Sequence, residues 1–472
     1  MRLSFRDLDA RVKRIVGELD RHGFRRGDRL ALLLPNGAEY IELVYACSYM
    51  GLIAVPMNTR YSTTEIDMVL ADACPRGLVR HSSLPIPGHP VAWQRVVDRE
   101  PFGETSESSA EVLYDPEAIL VLIYTSGTTG RPKGVTLTHA NVFSNVHNFN
   151  YWMRYREHGR YLHSAPIFHI ADFPAMFAAP VFGAGQATLP HFQPQSFCEA
   201  VENEKITHTG LVPTMINLLT QFPNIAKYNL DSLEVLSYGG SPIAPALVRR
   251  VREVLPNVKL LQVYGLSETG FLTGLQDGEH TPERVLSCGR PCPGIELQVA
   301  DDAGKRVDTG KLGEFVVRGS SVMRGYWNNQ DDSAAAFRNG VFHTGDLGYQ
   351  DTEGYFYIVD RAKDMIVTGG ENVYSGEVEA VIYELPEVSE AAVFGIPDFQ
   401  WGELVAACVV LKPGTALSAE DLILHCRKSL AGYQVPRHVE FNENELPKSG
   451  SGKILKRNLR EKFWAAESRR VG

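Results

Sequence analysis

The 472-residue sequence predicts an α/β protein, and three features carry that prediction. Buried-type strands alternate with helical segments as far as Tyr264. From about Gly289 to Val359 short alternating runs between turns replace that rhythm. Beyond Arg361 lies a mixed segment of about 110 residues, large enough to be a domain of its own.

The elements follow in order. Residues 7–22 place Leu8, Val12, Ile15, Val16 and Leu19 at helical spacing, and Gly23 ends the helix. Arg29-Leu-Ala-Leu-Leu-Leu34 reads as a buried strand closed by the turn Pro35-Asn-Gly37. A helix over residues 39–51 and a strand over residues 52–56 come next. Strand, helix, strand at that spacing implies parallel pairing with helices on the faces. Residues 81–117 are rich in Pro, Ser and Glu and read as a long connection. The apolar run Ala118-Ile-Leu-Val-Leu-Ile123 is the next strand. Alternation resumes with a strand over 207–212, a helix from Pro213, a strand over 233–237, a helix, and a strand over 259–264. Gly313-Glu-Phe-Val-Val-Arg318 and Gly354-Tyr-Phe-Tyr-Ile-Val359 then read as antiparallel β structure.

Composition narrows the function. Hydrophobic content of 44% and charged content of 22% are those of a soluble globular protein. A net charge of −9 argues against a nucleic-acid partner, which would call for a dense basic face. The most apolar stretch, Phe173 to Ala187, is broken by Pro174 and Pro180, so no integral membrane segment is expected. The start, Met1-Arg-Leu-Ser-Phe-Arg-Asp, lacks the apolar region of a secretory signal. Seven scattered cysteines form no disulfide framework, and Cys288 and Cys292 read as packing residues. These features together predict a cytoplasmic protein.

The chemistry concentrates in Tyr124-Thr-Ser-Gly-Thr-Thr-Gly-Arg-Pro-Lys-Gly134, directly behind a strand. Glycines turn backbone N–H groups inward, hydroxyls add short donors, and Lys133 adds a cation, a combination suited to closing over a polyphosphate. It is not a Walker A loop, because Pro132 stands where that pattern has glycine. Read alone, such a loop would as readily be a Gly/Thr-rich surface turn. Four later stretches suit a nucleotide. Tyr238-Gly-Gly-Ser-Pro242 ends a strand and opens a helix, the place where open α/β sheets bind ligands. Tyr264-Gly-Leu-Ser-Glu-Thr-Gly270 offers an aromatic face, a hydroxyl and a carboxylate fit for Mg²⁺ beside phosphates. Thr344-Gly-Asp346 offers two acceptor oxygens for a ribose diol, or else a turn-capping carboxylate. Pro447-Lys-Ser-Gly-Ser-Gly-Lys-Ile-Leu-Lys-Arg457 carries a lysine on a Gly/Ser-rich loop, while Lys456, Arg457 and Arg460 read as a solvated basic helix.

In this order, from about residue 3 to residue 463, the stretches resemble the adenylate-forming superfamily of acyl-CoA synthetases, aryl-CoA ligases, firefly luciferase and peptide-synthetase adenylation domains. The resemblance implies a large AMP-binding N-terminal domain (residues 1–360) of doubly wound-like sheets, with a small β-barrel-like subdomain at about 289–359. A hinge over 361–363 and a small mobile α+β C-terminal domain (364–472) would complete it. Thr125, Ser126, Gly127, Thr128, Thr129, Gly130 and Lys133 would hold the ATP phosphates. Gly239, Gly240 and Ser241 would border the adenine and acyl pockets. Tyr264 and Gly265 would lie along the adenine, Ser267 would reach the α-phosphate, and Glu268 would bind Mg²⁺. Asp346 and Arg361 would hold the ribose, Lys363 would sit at the hinge, and Lys453 would bridge the attacking carboxylate and the α-phosphate. His169 matches an acyl-pocket residue, although a lone histidine after an apolar run also suits a core.

The implied chemistry has two halves. A carboxylate attacks ATP and expels pyrophosphate; a thiol, coenzyme A, then takes the acyl group and AMP leaves. Between them the small domain would turn and present Gly369, Gly370, Glu371 and Asn372 along a pantetheine tunnel. In relatives that activate acetate, a tryptophan fills the position of Gly265. Glycine there, with small Ala171 and Ala175, implies medium- or long-chain fatty acids or aryl acids. Two positions depart from the family pattern: Ser375 replaces a common proline and Gln434 a common lysine. The expected partners are a small carboxylic acid and CoA, and the expected assembly is a homodimer. The alternatives are loading of a separate carrier protein, a luciferase-like oxygenase, or a non-catalytic nucleotide binder.

Overall fold

The computed structural model describes residues 2–103, 112, 114–126, 132–241, 243–449, 452 and 454–464. Gly127, Thr128, Thr129, Gly130 and Lys453, and the side chain of Ser126, lie outside the described residues. The first sheet comprises β1 (Arg29–Leu33), β2 (Ile53–Pro56), β3 (Gly77–Arg80), β4 (Trp93–Val96), β5 (Ile119–Ser126) and β6 (Pro132–Thr138), ordered β6-β5-β2-β1-β3-β4. β1 pairs parallel with β2 and β3, as the strand–helix–strand spacing predicts. β5 and β6 form an antiparallel hairpin. Helices α1 (Phe5–Arg21), α2 (Ala38–Met50) and α3 (Thr63–Ala73) connect this region. Ser4 with Asp7 and Ser62 with Glu65 form capping boxes that satisfy the first N–H groups of α1 and α3. α1 buries Val12, Ile15, Val16 and Leu19, the stripe read from the sequence.

The connection over 81–117 contains an edge strand that periodicity missed. β4 is half-exposed and, among the described residues, pairs with β3 alone, so it lacks the apolar run of an inner strand. It is fixed from outside its ladder, by Trp93 packing edge-on at 5.3 Å from Phe24.

A second sheet holds β7 (Arg160–His163), β8 (Gly185–Thr188), β9 (His208–Leu211), β10 (Val235–Gly239), β11 (Lys259–Leu266), β12 (Gly270–Leu275) and β13 (Arg290–Pro291), ordered β13-β12-β11-β10-β9-β7-β8. Its inner pairs are parallel, and β12 returns antiparallel along β11. Helices α4 (His139–Met153), α5 (Ala175–Val181), α6 (Pro194–Glu204), α7 (Pro213–Thr220) and α8 (Pro245–Val254) accompany it. Proline opens α6, α7 and α8, where its missing N–H costs nothing.

The third sheet uses β14 (Ile295–Ala300), β15 (Gly313–Gly319), β17 (Phe337–Arg338), β18 (Val341–Gln350) and β19 (Phe356–Arg361), while β16 (Gly325–Tyr326) leaves it to pair with β6. α9 (Gln330–Ala336) lies between β16 and β17. The antiparallel reading of 289–359 holds, but the sheet branches at β18 and, among the described residues, no ladder closes it into a barrel. The last unit is α+β: β20 (Ile366–Thr368), β21 (Glu371–Val373), β22 (Val388–Asp398), β23 (Gly402–Leu411) and β24 (His438–Asn442), with α10 (Ser375–Ile382), α11 (Ala419–Ser429) and α12 (Lys456–Trp464). It has its own core, in which Ile366, Val378, Ile382, Val393, Val405 and Leu422 are packed together. β19 ends at Arg361 and β20 starts at Ile366, so residues 361–363 fall where the chain passes from one unit to the next.

Candidate active site

The parallel strands of the second sheet deliver their carboxyl ends to one edge, where loops after β10 and β11 meet the third sheet. Tyr264, near the end of β11, donates its hydroxyl to Asp346 Oδ2 at 2.7 Å. Arg361 Nε lies 3.0 Å from Asp346 Oδ1, because β18 and β19 set these two residues opposite each other. Asp346 is buried, and its carboxylate stabilises the Arg361 charge. Burial, and then the same carboxylate, hold the Tyr264 hydroxyl protonated. The three residues form one cluster, with Ser267 buried beside β11.

Glu268 is a half-buried carboxylate. Desolvation raises its pKa, against the hydrogen bond it accepts at Oε1 from the Tyr326 hydroxyl at 2.9 Å. A carboxylate whose charge is poorly solvated suits a cation. Among the described residues no group of three or more His, Cys, Asp or Glu could hold a metal. A single poorly solvated carboxylate such as Glu268 fits Mg²⁺, which binds through one or two carboxylates plus substrate phosphates. Lys133 reaches toward the same place. It faces Thr125 across the β5–β6 hairpin, and its Nζ lies 5.3 Å from the centre of the Tyr326 ring and 2.7 Å from Asp332 Oδ2.

Ala165, Pro166, His169, Ala171, Val212, Gly240, Ser241 and Gly452 line a cavity of about 20 Å³. Among the described residues this is room for about one water and not for an acyl chain. Ala175 and Gly265, which do not line it, owe their small size to packing. Ala175 is fully buried in the core at the start of α5. At Gly265 a Cβ would overlap the carbonyl oxygen of Gly270, because β11 and β12 approach closely at a bulge. Gly239 is held likewise against the Val263 carbonyl, whereas Gly240 takes a left-handed φ of 79° at the cavity wall. The wall is built by residues the sequence reading passed over. Asn36 Nδ2 donates to the Ala165 carbonyl at 2.7 Å, and Asn36 Oδ1 accepts from the Ile167 N–H at 2.9 Å. Asp172 accepts from the Tyr161 hydroxyl and contacts His163 Nδ1, both at 2.6 Å. In the sequence Asn36 reads only as a turn residue. His169 Nδ1 accepts from the Ala171 N–H at 3.2 Å, which leaves the proton of a neutral ring on Nε2.

Gly452 belongs to the C-terminal unit yet closes this cavity; a Cβ there would lie 3.1 Å from Thr214 Oγ1. Gly369 and Gly370 form the tip of the β20–β21 hairpin with φ of 60° and 87°, and Glu371 and Asn372 follow on its exposed strand. Those four residues do not line the cavity.

Near the end of β19 the structure corrects the reading of a solvated basic helix. Lys456 Nζ donates to Ser375 Oγ at 2.6 Å and pairs with Glu379 at 2.8 Å. Ser375 in turn gives its N–H and O–H to Asp360 Oδ2, at 2.5 and 2.8 Å. A proline at 375 would have neither donor, so serine ties α10 and α12 to the end of β19. Arg460 pairs with Glu403 at 2.6 Å, and Arg457 with Glu461 at the surface. Gln434, the other departure, donates to Glu377 Oε2 at 2.9 Å. Breaking a pair as enclosed as Lys456–Glu379 leaves an uncompensated charge. Lys456→Ala is therefore expected to cost the C-terminal unit ~3 kcal/mol, read by urea unfolding.

Comparison with known proteins agrees with this geometry. Residues 1–327 match the AMP-binding enzyme family and residues 377–453 match the AMP-binding enzyme C-terminal domain. The chain is 37% identical over 466 residues to feruloyl-CoA synthase of Amycolatopsis sp, covering 98% of this chain and 94% of the relative. It is 33% identical to the long-chain-fatty-acid–CoA ligase FadD13 of Mycobacterium tuberculosis, covering 98% and 94%. Among solved structures it is similar to o-succinylbenzoate CoA synthetase of Bacillus subtilis in complex with its acyl-adenylate intermediate (TM-score 0.88, 32% identity, 99% of this chain and 94% of that one). The same synthetase with ATP and a magnesium ion superposes with a TM-score of 0.88 at 32% identity, covering 98% and 94%. The curated relatives that it matches over nearly its whole length are named CoA ligases. The chain belongs to the adenylate-forming superfamily of AMP-binding enzymes.

Proposed function

We propose that this enzyme is an ATP-dependent carboxylic acid–CoA ligase that forms an acyl-adenylate and then an acyl-CoA thioester. The observation that carries the reading is Gly452. Gly452, the residue before Lys453 in the sequence, lines the cavity together with His169, Gly240 and Ser241. In this arrangement Asp346 and Arg361 hold the ribose, Tyr264 faces the adenine, and Lys133 faces the outer phosphates. Acid and ATP are both anions, so Lys133 and Lys453 offset their repulsion and the charge that develops at the α-phosphate. Mg²⁺ bound by Glu268 would supply further neutralisation of the phosphates. Closure of the Gly452 loop keeps water from the adenylate. For the thiol step the C-terminal unit turns about Lys363 and brings the Gly369–Asn372 hairpin to the acyl group in place of Lys453.

The acid is the finer part of the proposal. Feruloyl and long-chain acyl relatives, together with Ala171 in the cavity wall, favour aryl or medium- to long-chain acids over acetate. Because the cavity is small in this conformation, the acid enters as the wall formed by residues 165–171 and Gly452 moves. Each buried methylene then adds about 0.8 kcal/mol. The test is a panel of carboxylic acids assayed for CoA-dependent AMP formation. Larger acids are expected to win, and Ala171→Phe is expected to lose activity on them while retaining it on short ones. Preference for acetate, or an unchanged profile in Ala171→Phe, would show that the pocket lies elsewhere. Acid-dependent release of pyrophosphate with no AMP release and no thioester on adding CoA would point to a carrier protein as acceptor.

Among the described residues no helix is long and apolar enough to cross a membrane. The cytoplasm is the setting we propose for this enzyme, to be checked by fractionation of the cells that make it. Light scattering on the purified enzyme would read whether it is a homodimer.

A further inference from the structure

We propose that Asp332 is an internal counter-ion of Lys133, a positioning residue that holds the lysine ammonium and competes with the polyphosphate for it. The inference rests on the reading that Lys133 faces the outer phosphates of ATP. The geometry is specific. Asp332 Oδ2 lies 2.7 Å from Lys133 Nζ and also accepts from Asn329 Nδ2 at 2.7 Å, while Asn329 Oδ1 accepts the Asp332 N–H at 3.0 Å. The carboxylate is thus aimed by the first turn of α9 and does not follow the lysine freely. The lysine is the more enclosed partner, its side chain 16% exposed against 37% for Asp332. Lys133 also holds the Asp332 carboxyl below the ordinary range.

The same short segment reaches the other side of the site. Tyr326 pairs with Val135 on β6, lies under the Lys133 ammonium, and donates its hydroxyl to Glu268. Residues 325–332 therefore touch both the cation and the carboxylate assigned to the polyphosphate and its metal. A phosphate that takes Lys133 must displace Asp332 or sit beside a like charge. Either event weakens the binding of ATP and of pyrophosphate together. A weaker hold on pyrophosphate favours its departure after adenylation, so the carboxylate exchanges substrate affinity for product release. Asp332 itself does not contact the reacting atoms; it acts through Lys133.

The test compares Asp332→Asn, Asp332→Glu and, as a control for general charge, Asp331→Asn on the same turn. Calorimetric titration with ATP and magnesium, and pyrophosphate inhibition of the adenylation half-reaction, are the readouts. Asp332→Asn is expected to tighten both ligands about three- to tenfold, the range of one charge-assisted pair at a partly exposed site. Asp332→Glu is expected to stay near wild type, and Asp331→Asn to change neither constant. A merely structural role would lower the unfolding temperature and leave both constants alone, and that outcome overturns the inference. So does weaker binding of either ligand to Asp332→Asn. Wild-type protein that fails to bind ATP overturns the ligase reading itself, and the inference falls with it. Wild type that binds ATP beside an unchanged Asp332→Asn overturns the inference alone.

Discussion

Lys453→Ala is expected to slow acyl-adenylate formation by two to three decades and to spare thioester formation from supplied acyl-adenylate. Removing one preorganised charge contact at a developing anion commonly costs ~2.7–4 kcal/mol, which is that range of rates. The lysine follows Gly452, which lines the cavity in the present arrangement. In the proposed mechanism the Lys453 charge serves the step in which two anions meet and has no part in the second, in which a thiol attacks an already activated carbonyl. The measurement pairs pyrophosphate release, for the first step, with single-turnover transfer to CoA for the second. Equal losses in both would mean that the two steps do not use opposite faces of the C-terminal unit.

Much of this site was legible because its parts sit at element ends. Strand patterns located β5, β10 and β11, and the residues just beyond them were polar and unlike core. The Tyr264–Asp346–Arg361 cluster joins two such places that are far apart in sequence, and the resemblance, not periodicity, linked them. What stayed hidden was of two kinds. Edge strand β4 has no buried run, so its pairing with β3 is visible only in three dimensions. Residues that act on other residues have no signature of their own. Asn36 reads as turn punctuation, Asp332 draws no reading at all, and Lys456 reads as one more surface base. Each is defined by a partner, Ala165, Lys133 or Glu379, that lies far away in the chain. Gly265 reads, from its smallness, as space for substrate; the structure adds that β12 approaches so closely that a Cβ there would overlap the Gly270 carbonyl.

Lys363→Pro is expected to leave adenylation largely intact and to stall transfer to CoA. The segment from Arg361 to Ile366 is a turn in which the Ala362 N–H donates to the Gly345 carbonyl at 2.9 Å. The Asp364 and Met365 N–H groups both return to the Arg361 carbonyl, at 2.9 and 3.1 Å. Among the described residues the Lys363 N–H donates to no backbone carbonyl, so proline there breaks no described backbone hydrogen bond. Its ring instead fixes φ near −65°, and the proposed rotation asks this residue to absorb the torsion change. Holding a backbone in a disfavoured region costs ~1–3 kcal/mol, or about ten- to a hundredfold in the step that requires it. The Asp360–Ser375–Lys456 contacts lie just beyond the turn and would help hold the starting arrangement while the hinge is blocked. Rapid-quench assays should therefore find acyl-adenylate accumulating without thioester. Normal overall turnover in Lys363→Pro would place the hinge at another residue. Loss of adenylation as well would mean that the turn itself, and not its rotation, had been damaged.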